Sequence, residues 1–504
     1  MPRGRTAPAL RTPRSIAILA VVVGLAALAV GSAGSSIPSF WGDEAASIMS
    51  AQRPLNTLFT MLGHVDAVHG TYYLFLHFWI DLFGASPMSV RFPSAIAVGI
   101  AAAGVVLLAH RLAGPRAAVF AGVVAIALPR MTDIATEARS SAFSAAIVIW
   151  LTYLLVALLA REERRILPWV GYAALLALSL YVFLFSILVI AGHAVIVWFW
   201  GQRRRMLRPW LLATLGGLVL ALPVIVAGAA QRNQIAFLGV YPGATWELVL
   251  VGQWFGNIFY ASLMALLFAA FVVLLVRARR SRTPSPFTLQ RDEPTPPLWL
   301  VAGAVAFVPP TILLLATIVT PVYTNRYLSM CAPAIALLVG YLLSLIPRRW
   351  GVAALLVVTL AAVPSYIFQR TVYAKNNSDW APVARYIQTH AAAGDAVVFD
   401  ETTRPSQRLR LALHAYPDSF AGLVDPTLNV PYTRNTWWWD STYKVHTVAS
   451  RFADIDRVWV LEHHLPGEPV GTYALDDLKN LGFRIVGTQP EHTSVIYELT
   501  RVRP

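Results

Sequence analysis

The sequence predicts a polytopic α-helical membrane protein of about 11 transmembrane helices, with an extracytoplasmic α/β domain at its C-terminus. Three observations carry this. Of 504 residues, 57% are hydrophobic and 13% charged, about half of the roughly 25% charged share of ordinary globular chains. The apolar residues come in runs that match a hydrocarbon core of about 30 Å. The charge is also unevenly divided. Residues 1–369 hold 26 basic and 11 acidic side chains, and residues 370–504 hold 14 and 15. The net charge of +14 therefore belongs to the apolar part, where positive residues set topology. No basic stripe alternates with aromatics on a polar domain, so a nucleic-acid partner is not expected.

The first apolar run, Ile16 to about Gly31, follows Arg3, Arg5, Arg11 and Arg14. A cleavable signal peptide fits such a pattern. A retained helix fits better, because further runs follow at about 89–110, 117–130, 141–160, 167–200, 210–229, 258–276, 298–319, 328–346 and 351–369. As one helix, 167–200 would be about 50 Å long at 1.5 Å per residue. Both of its flanks are basic, at Arg161–Arg165 and Arg203–Arg208. Two crossings keep both flanks on one side, so a turn is expected near Tyr181–Ser186. The segments on the cytoplasmic side then hold 20 basic residues, and the outer segments up to residue 369 hold six. This places the N-terminus in the cytoplasm, the spans in the plasma membrane, and residues 370–504 outside.

The tail reads as a soluble domain. A helix is expected over Asp379–Ala392 with Asp379 as N-cap and Gly394 as stop, and another over Tyr473–Leu481. Strands are expected at Ala396–Phe399, Arg457–Leu461, Phe483–Val486 and Ser494–Leu499. The stretch Arg277–Pro297, rich in Arg, Ser and Pro, reads as a linker. The domain division is thus 1–369 and 370–504, with a long first outer loop at 35–88.

Seven of the eleven acids before residue 370 fall on outer segments: Asp43, Glu44, Asp66, Asp81, Asp133, Glu137 and Glu247. None lies in mid-span, where proton-coupled transporters more often place an ionisable group. The first outer loop opens with Phe40-Trp-Gly-Asp-Glu-Ala45, a pair of adjacent carboxylates. Pro54–His69 and Thr71–Leu82 then have the pattern of helices lying in the membrane interface. A carboxylate beside such a surface should be partly desolvated, which raises its pKa towards that of a useful general base; ending a helix in water is the plainer role. His69 suits substrate orientation, with Tyr72 beside it. Asp66, His69 and His64 do not by spacing alone make a metal site, and no second cluster completes one. In Arg130-Met-Thr-Asp-Ile-Ala-Thr-Glu-Ala-Arg-Ser140, a continuous helix would put Asp133 and Glu137 on one face and let Arg130 pair with Asp133. In Tyr323-Thr-Asn-Arg-Tyr327 the arginine suits either a phosphate headgroup or snorkelling.

Taken in order, these residues resemble a known group. An acidic pair ends the first helix, then come His69-Gly-Thr-Tyr-Tyr73, Arg91-Phe-Pro-Ser94, Glu137-Ala-Arg139 and Asn325-Arg-Tyr327, and a soluble domain comes last. This is similar to the GT-C glycosyltransferases, specifically the protein-mannosyltransferase and aminoarabinose-transferase-like family 39. The tail beginning Ser378-Asp-Trp-Ala-Pro-Val-Ala-Arg looks like that of actinobacterial members. The resemblance implies a polyprenyl-phosphate-sugar donor, mannose transfer to a hydroxyl of a glycolipid, polysaccharide or protein, and inversion at the sugar carbon. It implies Asp43 as catalytic base with Glu44 supporting it. Glu137 and Arg139, with Asp133 nearby, take the place of the family's later acidic and basic segment. Arg326, with Tyr327 next to it, takes the place of residues that hold the lipid phosphate. No cofactor is implied. Many members read His-Pro-Pro-Leu where this chain has His69-Gly-Thr-Tyr72, and no carbohydrate-binding insertion is present. An arabinosyl- or aminoarabinosyltransferase of the same fold, a lipid or sugar transporter, and a cell-wall-binding scaffold are the rival readings.

Overall fold

The computed structural model describes residues 13–200, 203–240, 244–280, 295–464 and 473–502. Arg3, Arg5, Arg11 and residues 281–294 of the expected linker lie outside them. Among the described residues the apolar part is built of helices joined by turns and short extended stretches, with no strand. Its elements are α1 (Arg14–Ser32), α2 (Gly42–Ala51), α3 (Leu55–Leu62), α4 (Gly70–Phe83), α5 (Pro87–Ala127), α6 (Pro129–Ile134), α7 (Ser141–Ala160), α8 (Ile166–Val182) and α9 (Val189–Phe199). They continue with α10 (Arg203–Leu220), α11 (Leu222–Ala230), α12 (Ile258–Arg280), α13 (Leu298–Thr317), α14 (Ala332–Leu345) and α15 (Arg348–Phe368). Every apolar run read from the sequence is helical, and this is a multi-pass membrane protein.

Six helices of the described residues have the length and composition to cross a membrane, or seven if the bent α10–α11 pair is one span. That is fewer than 11 because several runs are broken or short. Helix α5 holds two of the expected runs, joined at Gly114, whose φ of 84° no helical residue adopts. The expected turn near Tyr181–Ser186 is present. Helix α8 stops at Val182, Phe183 is extended (φ −159°, ψ 107°), and a 3-10 turn leads into α9. Small residues let helices approach closely, as membrane packing requires. A Cβ on Gly99 of α5 would lie 2.7 Å from the Gly24 carbonyl of α1, and one on Gly340 of α14 would lie 2.3 Å from Ala121.

The tail holds α16 (Trp380–His390), β1 (Ala396–Phe399), α17 (Arg410–Ala415), β2 (Leu428–Val430), β3 (Ser441–Thr442), β4 (Arg457–His463), α18 (Leu475–Asn480), β5 (Phe483–Pro490) and β6 (Ser494–Arg501). The main sheet has the order β1-β4-β6-β5; β1 and β4 run parallel and the other pairs antiparallel. Asp379 takes the N-cap position of α16, but its side chain does not cap the helix. Its carboxylate instead accepts the Thr493 N–H and the Ser494 hydroxyl, both at 2.7 Å, and so ties the helix start to β6.

The chain packs as two compact units. One comprises residues 1–33, 67–71 and 91–367; the other comprises 34–66, 72–90 and 368–504. Most of the first outer loop therefore packs with the tail.

Candidate active site

The acid pair belongs to the unit that contains the tail. Trp41 is extended, and α2 begins at Gly42, so Asp43 and Glu44 occupy the first turn of a new helix rather than trailing from α1. At a helix N-terminus the unpaired N–H groups and the dipole favour negative charge. Glu44 is fully buried and Asp43 half-buried. Downstream, Asp66 has a left-handed backbone (φ 60°), a conformation Asp tolerates better than most residues, and its carboxylate accepts the Tyr73 hydroxyl. Tyr72 is buried, its ring 6.4 Å from those of both Tyr73 and Phe75. His64 is exposed, its Nδ1 2.8 Å from the Thr60 carbonyl.

The unit of long helices carries the remaining candidates. His69 ends a single 3-10 turn, Ala67–His69. Its Nε2 lies 3.2 Å from an Arg139 guanidinium nitrogen and its Nδ1 3.5 Å from the Ser140 hydroxyl. A guanidinium only donates, so in this contact Nε2 is the acceptor. The ring stacks on Phe183 at 6.4 Å. Tyr327 stands edge-on to Phe183 at 5.9 Å and stacks on Phe185 at 4.4 Å. Thus Arg139, His69, Phe183, Tyr327 and Phe185 form a continuous cationic and aromatic row. Arg326 is half-buried beside Tyr327 in the 3-10 turn Asn325–Cys331.

Arg130 pairs with Asp133 at 3.1 Å, as the spacing predicted. It also donates to the Gln253 carbonyl at 2.8 Å and to the Gly252 carbonyl. Tyr323 donates to the Gln253 side chain at 2.6 Å. The shared helical face of Asp133 and Glu137 does not form, because α6 ends at Ile134. The Glu137 carbonyl is taken by the Ser94 hydroxyl at 2.6 Å and by the Arg139 N–H at 2.9 Å, which makes a turn of residues 137–139. Glu137 itself is buried. Ser94 and Ser140 stood only as the last residues of motifs read from the sequence; Phe183, Phe185, Gly252 and Gln253 were not foreseen. Only the turn expected at 181–186 pointed towards any of them. Among the described residues no group of three or more His, Cys, Asp or Glu side chains is arranged to hold a metal.

The comparisons agree with this architecture. Residues 71–227 match the family model described as dolichyl-phosphate-mannose-protein mannosyltransferase. The crystal structure of ArnT from Cupriavidus metallidurans bound to undecaprenyl phosphate is similar over 97% of this chain and 98% of that chain, with a TM-score of 0.57 at 13% identity. The apo state of the same ArnT gives a TM-score of 0.55 at 14% identity, over 95% and 97% of the two chains. No curated protein matches by sequence. In architecture the chain shares the fold of ArnT, and its segment 71–227 matches the protein-mannosyltransferase family model.

Proposed function

We propose that this chain moves one sugar, mannose, from a polyprenyl-phosphate-sugar to an acceptor hydroxyl on the outer face of the plasma membrane, with its N-terminus cytoplasmic. The observation that carries the reading is the pair Asp43-Glu44 in the first turn of α2, on a chain with this fold. That the similar ArnT was crystallised with undecaprenyl phosphate supports a lipid-phosphate donor, and the family description supports mannose. The charge division supports the orientation, and residues 370–504 are read as an extracytoplasmic domain.

In the proposed reaction Asp43 accepts the acceptor's hydroxyl proton as that oxygen attacks the anomeric carbon. The bond from that carbon to the phosphate oxygen breaks, and the electron pair leaves with the polyprenyl phosphate. Attack from the opposite side inverts the carbon. Arg326 and Arg139 stabilise the charge gathering on the phosphate, and His69 orients Arg139. Glu44, Tyr72, Asp133, Glu137 and Tyr327 shape the substrate contacts. No cofactor is assigned.

The test is wild-type protein in proteoliposomes with a polyprenyl-phosphate donor carrying labelled mannose. Label covalently attached to an acceptor supports the reading. Label that only crosses the bilayer makes the chain a transporter, and label attached from an arabinose donor alone reassigns the sugar.

A further inference from the structure

The segment that carries the acid pair is fastened to the tail on both sides. Ahead of it, the Ser39 N–H donates to the Val372 carbonyl at 2.8 Å. The Phe40 N–H donates to the Tyr416 hydroxyl at 2.9 Å, and the Ser378 hydroxyl donates to the Phe40 carbonyl at 2.6 Å. The Phe40 and Tyr416 rings lie 5.4 Å apart. Behind it, the fully buried Arg53 guanidinium donates to the carbonyls of Asn435 (2.7 Å), Trp437 and Trp438 (3.2 Å). The tightest contact is at Gly42, next to Asp43. A Cβ there would lie 2.3 Å from the backbone oxygen of Ser406 and 2.7 Å from its Cβ. Backbone cannot swing aside as a side-chain tip can, so any larger residue at 42 must displace the first turn of α2 from the 405–407 turn.

Resting on the base role given to Asp43, we infer that the tail stretch Pro405–Tyr416 is a positioning element of the reaction centre, fixing the first turn of α2 through Ser406 against Gly42 and Tyr416 against Phe40. Within the tail this stretch alone is given that part, and Gly42, Ser406 and Tyr416 are positioning residues that act through Asp43. A misplacement of about 1 Å can cost roughly a hundredfold in rate.

The experiment compares Gly42→Ala, Tyr416→Phe and Arg457→Ala in the full chain, reading kcat, both KM values and unfolding temperature. Arg457 serves as a control, because it bonds Asp395 within the tail at 2.7 Å and touches neither α2 nor its supports. Gly42→Ala is expected to lower kcat about a hundredfold and Tyr416→Phe about tenfold, with both KM values within twofold of wild type. Arg457→Ala is expected to lower the unfolding temperature and leave kcat unchanged. Unchanged kcat in Tyr416→Phe, or an equal kcat loss in Arg457→Ala, overturns the inference. Should Gly42→Ala fail to fold, Tyr416→Phe against Arg457→Ala decides it. An active Asp43→Asn enzyme would remove the base reading instead, a distinct result.

Discussion

Two buried polar networks show how differently the two units handle polarity. In the helical unit, Trp210 donates to the Tyr172 hydroxyl at 3.1 Å. That hydroxyl lies 2.8 Å from His193 Nδ1, and His193 Nε2 lies 3.0 Å from the Thr152 hydroxyl. Every member can be satisfied while neutral. In the other unit, Arg410 bonds Glu401 at 2.7 Å, Asp425, and the Thr427 hydroxyl at 2.9 Å. It also lies 3.5 Å from Asp440, which His414 reaches at 2.7 Å. Burial works against the Arg410 charge, but Asp425 and Glu401 outweigh it and hold the guanidinium above its usual range. Burial likewise works against the Asp440 charge, yet His414, the Tyr432 N–H and Arg410 hold its carboxyl below its usual range. Apolar surroundings favour networks without charge, whereas a water-facing domain tolerates ionic ones that are fully paired. In the helical unit Arg130 is held by Asp133 and by the carbonyls of Gly252 and Gln253, and the proposed function gives Arg139 and Arg326 to the substrate.

The sharpest challenge to this contrast is Arg410→Ala. It takes from the half-buried Asp425 its guanidinium partner, while Arg408 still holds Glu401 and His414 still holds Asp440, and should cost the tail about 3–5 kcal/mol, read as lost hydrogen-exchange protection in β1 and β4. Arg326→Gln should do the reverse. Protection should hold while transfer falls about 10²–10³-fold, measured with the polyprenyl-phosphate donor. Loss of protection there would make Arg326 a structural residue.

A smaller effect is expected at Glu462, buried at the end of β4. Burial, and then the nearby Asp400 charge, raise its carboxyl to about 7. The folded state thus holds this proton more tightly than the unfolded chain. Its contribution is complete below about pH 4.5 and is lost as pH rises towards 7, lowering stability by roughly 2 kcal/mol. Glu462→Gln should flatten that slope in β4 and β6 exchange. The smallest effect belongs to the neutral network, where Tyr172→Phe should cost about 1 kcal/mol, read from thermal unfolding in detergent.

Much of the fold was legible because bilayer length and hydropathy act locally along the chain. The break at Phe183 followed from run length and charge parity, and the tail strands from short apolar runs between turns. Asp379 was legible as a helix start but not as the tie to Ser494, which lies 115 residues away. The same limit applies at the site. Ala135-Thr-Glu-Ala-Arg139 includes good helix formers, yet α6 stops at Ile134 and the Glu137 carbonyl goes to Ser94, 43 residues earlier. Arg130 found its spaced partner Asp133, whereas the carbonyls of Gly252 and Gln253 left no trace in its neighbourhood. Residue types near a site can be read locally; the backbone that receives them cannot.

The central claim is that Asp43 takes the acceptor proton. The most direct measurement is single-turnover sugar transfer by Asp43→Asn against wild type, with donor binding measured on both. The account predicts a loss of about 10²–10⁴-fold in the transfer rate with donor affinity retained. Transfer at the wild-type rate would contradict it.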